Sequence, residues 1–235
     1  MGGEKQSKNR AEPPIPPEAP PEPAKTCDLC PRLAAFRAEN RAEHPGTPED
    51  PWWNAPVPSF GKADVRLLIV GLAPGLRGAN RTGRPFTGDY AGDLLYPTLI
   101  KYGFARGTYD ARPGDGLELV DARITNAVRC VPPRNKPETG EIKACNPFLS
   151  NEIKALSNLT HILALGRVAH EATLLALHMK KSAYKFVHAG FYELECGLTL
   201  TDSYHCSRYN TNTGRLTEAM FHDVFEGLRA HMSES

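Results

Sequence analysis

The chain has 235 residues, 40% of them hydrophobic and 23% charged, with a formal net charge of +1. That is enough apolar material for one packed domain, while the near balance of 28 basic and 27 acidic residues excludes a globally basic scaffold, so any anion-binding face must be local. No run approaches the roughly 18 to 20 apolar residues of a membrane helix, and the N-terminus has no apolar centre of a secretory signal. Residues 1–25, a Pro/Glu/Ala/Lys tract, cannot build a core and are expected to be a disordered tail before a domain over 26–235. "CDLCPRLAAFRAENRAEH" opens a helical pattern, with Leu33, Phe36 and Arg37 at helical spacing. "PGTPEDPWWNAPVPSFG" is a loop punctuated by prolines, in which Trp52 and Trp53 are expected to clamp the loop onto the domain. "VRLLIVGLAPG" reads as a buried parallel strand running into a glycine-rich loop.

"AGDLLYPTLIKYGF" has helical apolar spacing around an internal proline. "LVDARITNAVRC" reads as a second strand, and "TGEIKACNPFLSNEIKAL" as a helix with a capping-box-like start at 139–142. "THILALG" is a third strand, followed by the amphipathic helix "RVAHEATLLALHM". "FYELECGLTLTDSYH" supplies at least one more strand, ending at His205, with Cys196 expected to be a buried inert thiol on it. "NTGRLTEAMFHDVFEGLRAHM" closes the chain as a helix capped by Asn212 or Thr213. Strands alternating with helices predict an α/β fold with a mainly parallel sheet of about four strands. In such sheets the site lies at the carboxyl ends of the strands.

Two features carry chemistry. Cys27 and Cys30 form C-x2-C, and Cys130 and Cys145 form C-x14-C. In an intracellular protein two such pairs point to a four-cysteine metal site, with zinc and an iron–sulfur cluster both open from spacing alone. Cys206 adjoins His205, but neighbours on an extended segment point to opposite faces, which argues against a nucleophilic dyad. The second feature is three polar loops after strands. "GLAPGLRGANRTGRPFTGD" matches neither a P-loop nor a dinucleotide fingerprint. Its glycines allow close backbone approach to a flat or phosphorylated ligand, its Phe86 suits stacking on a base or packing in the core, and its Asp89 suits a helix N-cap or a charged group in a site. "TNAVRC" sets Asn126 at a strand end, where an amide offers donor and acceptor to a base edge. "HCSRYNTNTGRLT" gathers His205, Ser207, Arg208, Tyr209, Asn210 and Arg215, a set suited to gripping phosphates.

Together these segments resemble the uracil-DNA glycosylase superfamily, and most closely its iron–sulfur family 5. The matching pieces are "GLAPG…NRTGRPFTGD", "TNAVRCVPPRNKPETGEIKACNPFL" and "HCSRYNTNTGRLT", in the family's order, over about residues 27 to 230. The resemblance implies a three-layer α/β/α domain, a [4Fe–4S] cluster on Cys27, Cys30, Cys130 and Cys145, and removal of deaminated bases (uracil, with hypoxanthine or xanthine) from DNA. It implies that Phe86 stacks on the flipped base, Asn126 bonds its edge, Asp89 positions water and His205 lies near the scissile bond. Gly71, Ala73 and Gly75 would complete the base pocket, and apolar Ala73 is what points to family 5. Ser207, Arg208, Tyr209, Asn210 and Arg215 would contact DNA. The third motif departs from the family's His-Pro-Ser, since Cys206 replaces the proline, freeing a backbone N–H. No lysine occupies a motif position, so a monofunctional glycosylase leaving an abasic site is expected. The remaining expectations are a cytoplasmic, nucleoid-associated monomer with no membrane contact, and Arg129, Arg134 and Lys136 either facing DNA or forming a solvated surface. A uracil-DNA-binding relative that does not turn over or traps DNA covalently is the alternative, and a zinc-stabilised nucleotide-binding protein is a third.

Overall fold

The computed structural model describes residues 20–234. The elements follow in the order α1 (Pro31–Glu43), β1 (Leu67–Gly71), α2 (Ala79–Thr82), α3 (Tyr90–Lys101), β2 (Ala105–Arg106), β3 (Glu118–Leu119), β4 (Ala122–Asn126), α4 (Thr139–Ala155), β5 (His161–Leu165), α5 (Arg167–Ala176), β6 (Phe191–Glu193), β7 (Thr199–Ser203), α6 (Arg208–Asn212) and α7 (Glu218–Glu234). The main sheet has five strands in the order β4-β1-β5-β7-β6, one more than the sequence predicts, because "FYELECGLTLTDSYH" folds back on itself as two strands. Four strands are parallel, and β6 pairs antiparallel with β7. β2 and β3 form a separate two-stranded ribbon.

Alternation along β1 sets the layers. Leu67 and Ile69 pack with Leu95 and Leu99 of α3 and Phe221 and Phe225 of α7. Leu68 and Val70 pack with Leu149 and Ile153 of α4 and Ala169 and Ala172 of α5. Helices therefore cover both faces, giving a three-layer α/β/α domain. Register aligns Gly71 with Asn126 and Leu165 with Ser203, so the segments leaving β1, β4, β5 and β7 emerge on one edge.

Several local expectations change. Cys196 is exposed in the turn between β6 and β7 rather than buried on a strand, since the hairpin bends at Glu195–Gly197. The closing helix begins later than its expected caps: residues 208–212 form α6, and Thr217 Oγ1 accepts from the Met220 N–H instead. At the start of α4 the box is made by glutamates, with Glu141 accepting from the Glu138 N–H at 2.7 Å. The tryptophans do clamp their loop. Trp53 Nε1 donates to the Pro56 carbonyl, and Trp52 stacks on His44 with centroids 5.0 Å apart.

Residues 1–19 of the expected tail lie outside the described residues, whereas 20–25 lie along the domain. Glu22 accepts from Arg129 Nη1 at 2.6 Å, Arg123 Nη2 at 3.2 Å and the Ser59 N–H at 2.9 Å. Arg129 is not a DNA-facing cation. It is 1% exposed and also binds Glu152, which holds Arg123 as well. The two arginines flank Asn126 in sequence, so this buried network braces the end of β4. Arg134 and Lys136 are exposed.

Candidate active site

The glycine-rich loop leaving β1 is shaped by one strained residue. Phe86 is buried with φ +52°, a left-handed conformation that costs a bulky residue about 1–3 kcal/mol. Its neighbours over-determine it. Arg84 forms a buried fork to Asp115 at 2.7–2.8 Å, Tyr96 Oη donates to the Pro85 carbonyl at 2.6 Å, and Tyr109 Oη donates to the Phe86 carbonyl. Arg84 also holds the Asp115 carboxyl far below the usual range. Gly92, in the first turn of α3, packs against the Phe86 carbonyl so closely that a Cβ there would overlap it.

Asp89 caps α3, its Oδ1 accepting from the Gly92 N–H at 3.3 Å. The cap is not its whole environment. The other oxygen lies against Gly78 and Gly75, where a Cβ on Gly78 would overlap it and one on Gly75 would lie 3.1 Å away. Burial pushes the Asp89 carboxyl up, and the Gly92 and Ala91 N–H groups only partly oppose that.

Gly71, Phe86, Asn126 and His205 converge behind the mouth. A Cβ on Gly71 would overlap Asn126 Oδ1 and stand 2.6 Å from the Phe86 ring. The Phe86 and His205 rings are stacked with centroids 5.9 Å apart. His205 follows β7 beneath Gly166, whose added Cβ would meet it at 3.3 Å. Desolvation pushes the His205 pKa down to about 4, so the ring is neutral at neutral pH. Cys206 points instead into the main core and is fully buried, which separates it from His205 as the extended geometry predicts. Its thiol is pushed up by burial, with the charge of Asp89 adding to the effect.

In front lies a cleft of about 1010 Å³. Ala73, Gly75, Asp89, His205, Ser207, Arg208, Tyr209, Asn210 and Arg215 all line it, so the loops after β1 and β7 build one site. Gly71, Phe86 and Asn126 lie deeper and do not line the open volume. Ser207 caps α6, and Asn210 Nδ2 donates to the His205 carbonyl at 2.8 Å, fixing the turn that carries the imidazole. Arg208 sits over the Tyr90 ring at 5.3 Å, and Tyr209 is 72% exposed at the rim. The sequence pattern alone does not single out Arg77, Tyr90, Asn135, Gly166–Val168, Phe186 and Tyr204, which also line the cleft. "LGRV" follows a predicted strand, so the carboxyl-end rule could find it; Phe186 carries no such signal.

The four motif cysteines also meet. Cys27, Cys30, Cys130 and Cys145 line one small pocket with Leu33, Arg37 and Val128. Burial raises the Cys30 thiol to about 11, the Cys130 thiol to about 12 and the Cys145 thiol as well. Among the described residues, no group of three His, Cys, Asp or Glu is arranged to hold a metal ion.

A family model, the uracil DNA glycosylase superfamily, matches residues 58–229, which span the sheet and all three loops. The chain belongs to the uracil-DNA glycosylase superfamily. It is 46% identical over 198 residues to a type-5 uracil-DNA glycosylase of Thermus thermophilus, covering 84% of this chain and 90% of that one. It is 37% identical to the type-5 enzyme of Pyrobaculum aerophilum, covering 87% and 88%. A type-4 uracil-DNA glycosylase of Saccharolobus solfataricus is 30% identical, covering 73% and 76%. This superfamily member has no described helix long and apolar enough to cross a membrane.

Proposed function

We propose that the protein is a DNA repair glycosylase that flips a deaminated base out of the stack, hydrolyses its N-glycosidic bond and leaves an abasic site. Uracil is the first substrate, and hypoxanthine and xanthine are further ones. The observation that carries this reading is the convergence at Gly71. Only a residue without a side chain lets Phe86 and Asn126 close in on that point, which sets the ring and the amide side by side behind the cleft that would admit a flat base. Flipping costs a few kcal/mol, least for a mismatched base, so damage is partly selected before chemistry.

As the glycosidic bond breaks, the sugar becomes cationic and the base anionic. Asp89, held by the α3 N-terminus, stabilises the cation and orients the attacking water. His205, neutral in its desolvated setting, donates an N–H to the developing negative charge on the base oxygen. Asn126 bonds the base edge and Phe86 stacks on its face. Arg208, Asn210, Arg215 and Ser207 grip the flanking phosphates. Among the described residues no lysine lines the cleft, which supports simple hydrolysis over a Schiff-base pathway.

Cys27, Cys30, Cys130 and Cys145 would hold a [4Fe–4S] cluster. Their surroundings fit an anionic group: Arg37 lies in the same pocket with its Nε buried and without an acceptor, and the Arg129 N–H donates to Cys145 Sγ at 3.4 Å. The part of such a cluster would be scaffolding, since cysteines at the start of α1 and on the segment leaving β4, whose Asn135 lines the cleft, would then be tied together.

The test is a panel of duplexes, each with one uracil, hypoxanthine or xanthine, incubated with wild type and with the Asp89→Ala, Asn126→Ala and His205→Ala variants. Free base is quantified and adducts are trapped with borohydride. Release of uracil by wild type alone is expected. A trapped adduct, or binding without release, overturns hydrolysis, and full activity in all three variants overturns the site.

A further inference from the structure

The cleft holds more than one base requires, and the part away from Asp89 has a separate construction. Residues 177–190 form no helix or strand, yet their backbone is pinned by buried polar groups from two elements. His170 of α5, 1% exposed, bonds Asp202 Oδ1 of β7 through Nδ1 at 2.8 Å and the Tyr184 carbonyl through Nε2 at 3.0 Å. The second Asp202 oxygen accepts from the Val187 N–H, and the Asp202 carbonyl accepts from the Ala189 N–H at 2.9 Å. Tyr192 Oη donates to the Lys185 carbonyl. Four positions around Phe186 are thus fixed. The Phe186 ring packs at 5.8 Å against His170 and at 6.0 Å against Tyr204, and it lines the cleft together with Arg167 and Arg215.

A buried His–Asp pair is a costly way to hold a loop that only covers a core, because apolar packing does that as well or better. Here it holds one half-buried aromatic ring in a polar cleft beside two arginines. Aromatic faces with nearby cations bind unpaired bases with little regard to sequence. We infer that Phe186 is the platform of a second nucleotide subsite, which takes the unpaired base next to the excised one, and that His170 and Asp202 are its positioning residues. This rests on the reading of the protein as a DNA glycosylase. Arg167 and Arg215, which line the same cleft, would meet the phosphate of that neighbour. The enzyme is then served best by a strand already splayed around the lesion.

The experiment uses single-stranded uracil oligonucleotides in which the nucleotide on the 5′ or the 3′ side of the uracil is either normal or an abasic analogue. Wild type loses about five- to a hundred-fold in kcat/KM when one of the two sides lacks its base, the range expected for one stacked base. Phe186→Ala loses a similar factor on the normal strand and nothing further on the abasic one, and Phe186→Trp restores the difference. His170→Gln shows the same dependence on the neighbouring base. An equal loss for Phe186→Ala on both strands makes the ring mere packing and overturns the proposal, as does indifference of wild type to both flanks. A wild type that releases no uracil refutes the glycosylase reading instead. The subsite is then read by fluorescence anisotropy on the same oligonucleotides, where the flank dependence of wild type and Phe186→Ala supports or refutes it in the same way.

Discussion

Asp89→Asn separates the two duties of one carboxylate. As the α3 cap, Asp89 needs only an oxygen to accept from the Gly92 N–H, and Asn caps about as well as Asp, whereas Ala costs about 0.5–2 kcal/mol. As a group facing a developing sugar cation, it needs charge. A carboxylate about 4 Å from a full positive charge at an effective dielectric near 20 is worth about 4 kcal/mol, or roughly a thousand-fold in rate. Burial also sets the pH behaviour. The folded Asp89 pKa is raised above its unfolded value, so its stabilising contribution is complete below the unfolded pKa and is lost as pH rises through the folded one. At neutral pH the ionised carboxylate therefore works against the fold. Asp89→Asn is expected to melt at or above the wild-type temperature at pH 7, with the gain vanishing in acid. Uracil release should fall roughly a thousand-fold, and the wild-type acid limb should be shifted upward from that of a free aspartate. Calorimetry and single-turnover base release across pH check both arms. A variant that keeps more than a tenth of the activity, or that melts lower at pH 7, refutes the reasoning.

His205 titrates in the opposite sense. Its folded pKa is depressed to about 4, so its stabilising contribution is present above the unfolded pKa near 6.5 and is lost as pH falls towards 4. His205→Gln should flatten that loss in a series of melts, and no His205 limb should appear in the rate profile between pH 5 and 8. Glu22→Gln leaves the buried Arg129 and Arg123 to share Glu152 and should cost about 1–3 kcal/mol in urea unfolding. If the four cysteines hold the proposed cluster, the wild type should carry iron, acid-labile sulfide and visible absorbance, and Cys130→Ser should abolish all three. Replacing Arg134 and Lys136 with alanine should lower the slope of log affinity against log salt by about 0.9 for each phosphate left without its cation, and an unchanged slope removes that turn from the DNA interface.

How far the site is legible depends on what each residue needs. Asn126 ends β4, His205 follows β7 closely and Asp89 closes the long loop that leaves β1, and parallel strands deliver such segments to one edge, so pattern alone groups them. The paired cysteines are legible by spacing, and they do line one pocket. Arg129 is not legible, because a cation beside a proline-rich loop looks solvated until its buried acid partners, Glu22 and Glu152, are placed. Cys196 is not legible either, because a strand pattern does not show where a hairpin bends.

Periodicity and motif order are local properties of the chain, so they suffice for the alternation of strands and helices, the polar loops and the family. Packing was needed to show that Glu22 belongs to the domain and that Phe86 is held in a strained left-handed backbone by Arg84, Asp115, Tyr96 and Tyr109. Packing also makes Asp89 both a cap and a desolvated charge, and turns Phe186 towards the cleft. Each of these depends on groups far apart in sequence, and their energies, desolvation and buried ion pairing above all, arise only when the folded chain excludes water.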